Sequence, residues 1–437
     1  MLLTNPTLIE QAYAAAAKHN WSLVIQCLQQ FWGETAGTGR TLAPQRGLSM
    51  TLAPQRGRPQ PTSDQLDQEA LLELALKVLV NGDFQERWEI ASFLPKLGDA
   101  TISPLHAILE DEQADLDLRW FAGRILSQFE DPAVVAALVL LLDNDGDEEL
   151  SQMATLALAN IGTQAIASLA KLLEEPASVT LAVSCLSRIR SNGTIAPLLQ
   201  VVNHPDPIIR AKAIDALISF DDPRIPPVLV AAVNDTAAPV RKSAVTGLGL
   251  CCTHNSQHYP PDVDMVQVLK ERLWDFNLEV CQQAAIALSR LGTDPAAAAI
   301  FELFKSTATP VPLQVTAARS LHWMATPTAL EYLEQIICHT TVTEVFREII
   351  TGLGMIESAE LIPIASQMII RALQNHHPHS PIHDATIKIS VAWAIASLTG
   401  RSNQLQQPEA TAALTHLLTD PDPRVQLHVR HALASRS

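Results

Sequence analysis

An all-α fold, an α-solenoid of about eleven two-helix repeats, is what this sequence predicts, and three observations carry the prediction. The first is one helical pattern that returns along the chain: Arg, then Ala or a large apolar residue three later, Leu seven later and an apolar residue ten later. It runs through Arg87, Ile90, Leu94 and Leu97, through Arg119, Ala122, Leu126 and Phe129, through Arg210, Ala213, Leu217 and Phe220, and through Arg241, Ala244 and Leu248. The second is its spacing. Weaker copies start at Ser151, Val179, Cys281, Gln314, Phe346, Lys388 and Gln426, so successive starts lie 32, 32, 28, 31, 31, 40, 33, 32, 42 and 38 residues apart. Such a period holds two amphipathic helices that bury their apolar faces only by stacking on neighbouring copies. The third is composition, 47% hydrophobic yet only 5% aromatic, which suits close packing of helices on Ala and Leu. A chain of 437 residues is too long for one compact core, whereas a solenoid grows by adding units.

The elements follow in order. Residues 1–32 read as an N-terminal helical segment, apolar at Leu8, Ala12, Ala16, Trp21, Val24 and Leu28. In residues 33–63 the heptapeptide Thr-Leu-Ala-Pro-Gln-Arg-Gly occurs twice, at 41–47 and 51–57, with four Arg against one Glu. So little apolar surface does not offset ordering entropy, and the segment is expected to be a disordered insert. The repeat solenoid takes residues 64–437. Its first helices open on Asp131-Pro132, Asp222-Pro223 and Asp294-Pro295, with Asp to cap free N–H groups and Pro at a position that needs none. Acids also stand in the turns before the second helices, at Asp115 and Asp206. An Asp of one unit is therefore expected to pair with the Arg of its neighbour, which makes Arg87, Arg119, Arg210 and Arg241 structural. Insertions at 253–262 and 374–384, where the spacing stretches to 40 and 42, read as loops, and both carry clustered histidines.

Charge and composition narrow the function. With 46 acidic and 30 basic residues the net charge is −16, which opposes a phosphate-backbone partner, so no nucleic acid is expected. No basic region leads into an apolar run at the N-terminus, and the longest apolar stretch, 133–142, is far short of the roughly 20 residues that span a bilayer. The six cysteines are scattered without a disulfide-framework spacing, and a cytoplasmic location is the expectation.

Several groups invite a chemical reading. Gly-Leu-Gly occurs at 247–249 and 352–354, but both copies fall at one repeat phase inside a second helix, with no preceding strand to form a phosphate loop. These glycines are expected to permit close helix packing. Cys251, Cys252, His254 and His258 are metal or iron–sulfur ligand types at short spacing. The alternative puts Cys251 in the core, at the tenth position of its repeat. The imidazoles of His376, His377, His379 and His383 read as a Pro-broken loop. No histidine is followed by Glu, which sets aside the di-iron chemistry of enzymes resembling deoxyhypusine hydroxylase. The most distinctive surface signal is aromatic. Trp88 and Trp120 both follow the repeat Arg by one position, off the packing stripe, with Phe121, Glu89 and Arg124 beside them. These five residues form the candidate partner-binding ridge; burial beneath a first helix is the alternative.

The unit Asp-Pro…Arg…Ala…Ala-Leu…Leu-Gly resembles the HEAT-like repeat family named after cyanobacterial phycobilisome lyases. Leu118 to Leu126 looks like the Arg-Tyr-Tyr-Ala-Ala-Trp-Trp-Leu stretch of the E/F-type phycobilin lyases. Trp120 and Phe121 correspond to the Tyr-Tyr pair, while Arg124 and Ile125 stand where the Trp-Trp pair would be. The chain is more similar to the larger IscA-interacting HEAT-repeat relatives. That resemblance implies a non-catalytic adaptor or chaperone whose partner is an A-type iron–sulfur carrier. The lyase resemblance implies instead a subunit that handles a bilin and a phycobiliprotein, and a third possibility is a protein that binds an iron–sulfur cluster itself.

Overall fold

The computed structural model describes residues 6–37, 63–143, 148–254, 263–374, 379–401 and 407–434, and every regular element among them is a helix. The chain divides into two compact units, Met1–Val201 and Val202–Ser437.

In the first unit a hairpin of α1 (Pro6–Ala16) and α2 (Trp21–Gly37) precedes the repeats. The segment expected as one helical stretch is thus two helices, turned at His19 with φ 55, and α2 runs on into the expected insert. The rest of that insert, 38–62, lies outside the described residues. Helix pairs follow: α3 (Ser63–Asn81) with α4 (Phe84–Ala91), α5 (Ile102–Glu110) with α6 (Leu116–Leu126), α7 (Pro132–Asp143) with α8 (Glu148–Ile161), and α9 (Ile166–Leu172) with α10 (Val179–Arg188). The unit closes on α11 (Ile195–Gln200). The second helices α4, α6, α8 and α10 pack each on the next, and the first helices α5, α7 and α9 do the same.

The second unit begins with the second helix α12 (Pro207–Leu217) and continues with α13 (Ile225–Ala232) and α14 (Ala238–His254), α15 (Met265–Arg272) and α16 (Leu278–Leu291), and α17 (Asp294–Phe301) and α18 (Val311–Met324). Then come α19 (Pro327–His339) and α20 (Thr343–Leu353), α21 (Ile362–Leu373) and α22 (Ala385–Arg401), and α23 (Gln407–Leu417) and α24 (Pro423–Ala434). Its second helices, α12 to α24, again stack in sequence. From α3 onward the described residues hold ten pairs within the two units, with α11 ending the first unit and α12 opening the second.

The repeat pattern is a burial pattern. The leucine seven after the start is fully buried in the first nine copies, Leu94, Leu126, Leu158, Leu186, Leu217, Leu248, Leu288, Leu321 and Leu353; Ile395 is buried there in the tenth, and Leu433 in the last is half-buried. The start position has a second task. Backbone carbonyls at the end of a first helix and in the turn after it lack helical partners, and start residues donate to these. Arg210 Nη1 reaches His204 O at 2.7 Å, Arg241 Nη1 reaches Asp235 O at 2.9 Å, and Arg119 Nε reaches Leu109 O at 3.0 Å. Cys281, Gln314 and Gln426 do the same in their repeats, at 3.1, 2.9 and 2.8 Å.

The Arg–Asp ladder expected between neighbours forms at three of the four arginines. Arg87 meets Asp115 at 2.9 Å, and Arg210 grips Asp235 through two bonds of 2.7 and 2.8 Å. Arg241 grips Asp275 through two of 2.7 Å, and Lys388 repeats the contact with Asp420 at 2.6 Å. Two caps depart from expectation: α13 begins only at Ile225, with Arg224 at the N-cap and Asp222 accepting from Arg224 N ahead of the helix at 2.9 Å. Asp294 lies within α17, and Thr293 is the cap instead, its hydroxyl accepting from Ala296 N at 3.4 Å.

Close helix approach explains the paired glycines. A Cβ at Gly249 would stand 2.8 Å from Ala287 Cβ of the next second helix, and one at Gly354 would stand 2.8 Å from Ala394 Cα. Gly354 itself is the C-cap of α20 rather than an interior residue. The stretch Glu148–Leu172 has the length and apolarity of a membrane span, with 44% of its most apolar window buried. Gly162, at φ 73, breaks it into α8 and α9, which belong to two different repeats.

Candidate functional site

The site is built on α4 and α6 of the first unit. Asp83 fixes the start of α4 with a capping box: its carboxylate accepts from Glu86 N at 2.9 Å while Glu86 accepts from Asp83 N at 3.0 Å. Glu86 is itself held by the Ser22 hydroxyl of α2 at 2.9 Å. With the helix start pinned, Phe84 and Trp88 fall four residues apart on one outward face. They are 60% and 43% exposed, and their rings stack with centroids 6.2 Å apart.

One turn into α6, Trp120 is half-buried and Phe121 fully buried. The expectation that Phe121 lies on the surface is therefore corrected. Its ring is the floor of the cluster, edge-on to Phe84, Trp88 and Trp120 at 5.4, 6.4 and 5.3 Å. The second position after the repeat start turns inward because α4 and α6 pack together, so the buried stripe is wider than repeat phase alone implies. Arg124 is exposed and lies over two rings, 3.9 Å from the centre of Trp88 and 5.4 Å from that of Trp120. Glu89 is exposed beside it and accepts from Gln85 Nε2 at 3.0 Å. Trp120 and Arg124 also border a groove of about 290 Å³ that runs to Met153 and Leu156 of α8.

The structure thus brings Trp88, Trp120, Phe121 and Arg124 into one cluster, with Glu89 at its rim. Phe84 was missed in the sequence, although an aromatic pair four apart in a helix is its signal. The cluster holds a cation over two indole faces with apolar rings partly open to solvent, and Trp and Arg are the residue types enriched among those that dominate interface energetics. Of the metal candidates, Cys251 is half-buried, while His258 and the side chains of Cys252 and His254 lie outside the described residues. Among the described residues no three His, Cys, Asp or Glu side chains are placed to hold a metal ion. In the other insertion, 375–378 lies outside the described residues, and Pro381 and Ile382 are buried.

Residues 102–187 and 180–249 match the family model for HEAT repeats, and the chain as a whole is an α-solenoid of two-helix repeats. Its fold is similar to importin beta, at 13% identity and a TM-score of 0.54 over 99% of this chain and 65% of that one. It is likewise similar to Kap95 in the Kap95:Nup1 complex, at 14% identity and 0.54 over 99% and 62%, and to a Kap121p mutant, at 11% and 0.54 over 99% and 53%. The chain thus spans less than two thirds of the length of each of these karyopherin structures. No curated protein matches it in sequence.

Proposed function

We propose that the chain is a non-catalytic adaptor or chaperone that binds a protein partner through the Trp88–Trp120–Arg124 ridge. The observation that carries this reading is the placement of Arg124 over Trp88 and Trp120, which orders a long cationic side chain before any partner arrives. Interfaces lose affinity to the ordering of flexible side chains, so a cation already held on aromatic faces lowers that cost. A structurally similar solenoid supports the reading, Kap95 being in complex with Nup1.

The partner proposed from the sequence resemblance is an A-type iron–sulfur carrier. The test is calorimetric titration of the full chain with such a carrier, repeated with Trp120→Ala/Arg124→Ala. Binding that the double variant weakens at least tenfold is expected. Absence of binding removes this partner, and undiminished binding by the variant removes the ridge. An induced change in the spectrum of free phycocyanobilin on mixing, with faster attachment to an apo-phycobiliprotein, would replace the adaptor with the lyase alternative.

A further inference from the structure

The second helices of the second unit carry a charge pattern opposite to that of the chain. Side chains four apart on a helix share a face, so the residues one, five and nine after each repeat start form one outward row. Across α12 to α24 this row holds Lys242, Arg290, Arg319 and Arg347 against a single acid, Asp215, in a protein of net charge −16. The same row presents Trp323, Met355 and Trp393, which are 55%, 59% and 50% exposed. Trp323 at the end of α18 and Met355 in the turn just past α20 occupy the same repeat position, and Arg290 precedes them at that position on α16.

The row is tied together from helix to helix. The side chain five after one start bonds the side chain two after the next: Thr246 to Gln283 at 3.4 Å, Arg319 to Glu348 at 2.7 and 2.9 Å, and Trp393 Nε1 to His428 Nδ1 at 3.3 Å. Lys242 is similarly held by Glu279 at 2.7 Å. Arg290 and Arg347 are exposed and form no ion pair among the described residues, Asp384 feeling Arg347 only at longer range. Two unneutralised guanidiniums thus flank exposed Trp and Met on a face that its own bonds hold in place.

We infer that this row is a docking surface for an extended acidic segment of a partner protein. Charge complementarity names the occupant: carboxylates meet Arg290 and Arg347 while apolar side chains cover Trp323, Met355 and Trp393. Packed helices lie about 8–10 Å apart, and an extended polyproline-II segment advances roughly 3.1 Å per residue with three residues per turn, so the segment should present an apolar side chain about every third residue with Asp or Glu between. This inference rests on the reading that the chain binds protein, yet it uses none of the ridge residues.

The test is an unbiased display selection of random 15-residue peptides on the immobilised full chain, with fluorescence anisotropy on the enriched peptides. Net-acidic peptides carrying apolar residues about three apart are expected, with affinity falling as salt rises. Arg290→Glu/Arg347→Glu should weaken them at least tenfold, and so should Trp323→Ala/Met355→Ala. Because both pairs are exposed, circular dichroism should show unchanged melting. Trp120→Ala/Arg124→Ala should leave these peptides bound, which separates failure of the ridge from failure of this surface. An enriched pool that is basic or neutral, an acidic pool indifferent to the charge reversal, or no enrichment overturns the proposal. So does a concentration-dependent dimer, seen by sedimentation, that the charge reversal dissolves, since the occupant is then a second copy of this chain.

Discussion

The Arg124 guanidinium lies 3.9 Å from the centre of the Trp88 ring, so a residue of one repeat closes over an aromatic of the repeat before it. The contact needs both helices and therefore reports directly on the register between α4 and α6. A cation over an exposed indole contributes roughly 0.5–1 kcal/mol. A double-mutant cycle of Trp88→Ala and Arg124→Ala, read by urea unfolding, should give a coupling of about that size. Strict additivity of the two single changes would show that the stacking has no energetic weight.

Core positions should respond very differently. Leu126 and Leu217 are fully buried at the same repeat phase, and Leu→Ala at either is expected to cost roughly 2–5 kcal/mol. Nearest-neighbour contacts dominate a solenoid, so hydrogen exchange should show the loss concentrated in the adjacent repeats. A cost below about 1 kcal/mol at both positions is incompatible with this packing.

The Arg241–Asp275 pair predicts an acid limit. Its side chains are only 11% and 3% exposed, and removing one partner of a buried pair costs roughly 3–5 kcal/mol, so Asp275→Ala should be strongly destabilising. Burial alone would raise the Asp275 carboxyl, but the Arg241 guanidinium and the Asn277 amide outweigh it and hold the group below the usual carboxylate range. A depressed carboxyl contributes stability that is complete above the unfolded value, about 3.9, and is lost as pH falls through the folded value. Urea unfolding from pH 5 down to pH 2 should therefore cost the natural protein more stability than it costs Asp275→Asn. Parallel losses in the two proteins would remove the linkage.

Gly249 offers a test of helix approach. Alanine is the better helix former by about 1 kcal/mol, yet its Cβ would stand 2.8 Å from Ala287 Cβ and 2.9 Å from its Cα. Overpacking of this kind costs about 1–3 kcal/mol, so Gly249→Ala should be neutral to destabilising and Gly249→Leu clearly worse. A stabilised alanine variant, seen as a raised melting temperature, would mean that α14 and α16 separate at little cost.

The candidate ridge was half legible. Trp88 and Trp120 announce themselves by recurring one residue after the repeat arginine, and both do reach the surface in some measure. Phe121 does not, since the neighbouring second helix covers the next position. Phe84 and the stacking of Arg124 depend on where α4 meets α6, which repeat phase does not specify. The basic and aromatic row of the second unit is written in the sequence, but it emerges only when residues one, five and nine after each start are set side by side.

By itself the sequence determined whatever one repeat and its neighbour settle locally. That includes the all-helical solenoid, the buried leucines, the arginines that bond the next turn's aspartates at Arg87, Arg210 and Arg241, and the glycines where helices touch. Each such residue sees the same surroundings in every copy, so its period carries its role. Tertiary structure alone decided which off-stripe residues meet solvent, that Thr293 rather than Asp294 caps α17, and that Arg124 rests on two tryptophans. Those outcomes depend on the spacing of particular neighbouring helices, and that spacing is set by the summed packing of side chains from both rather than by the pattern of either one.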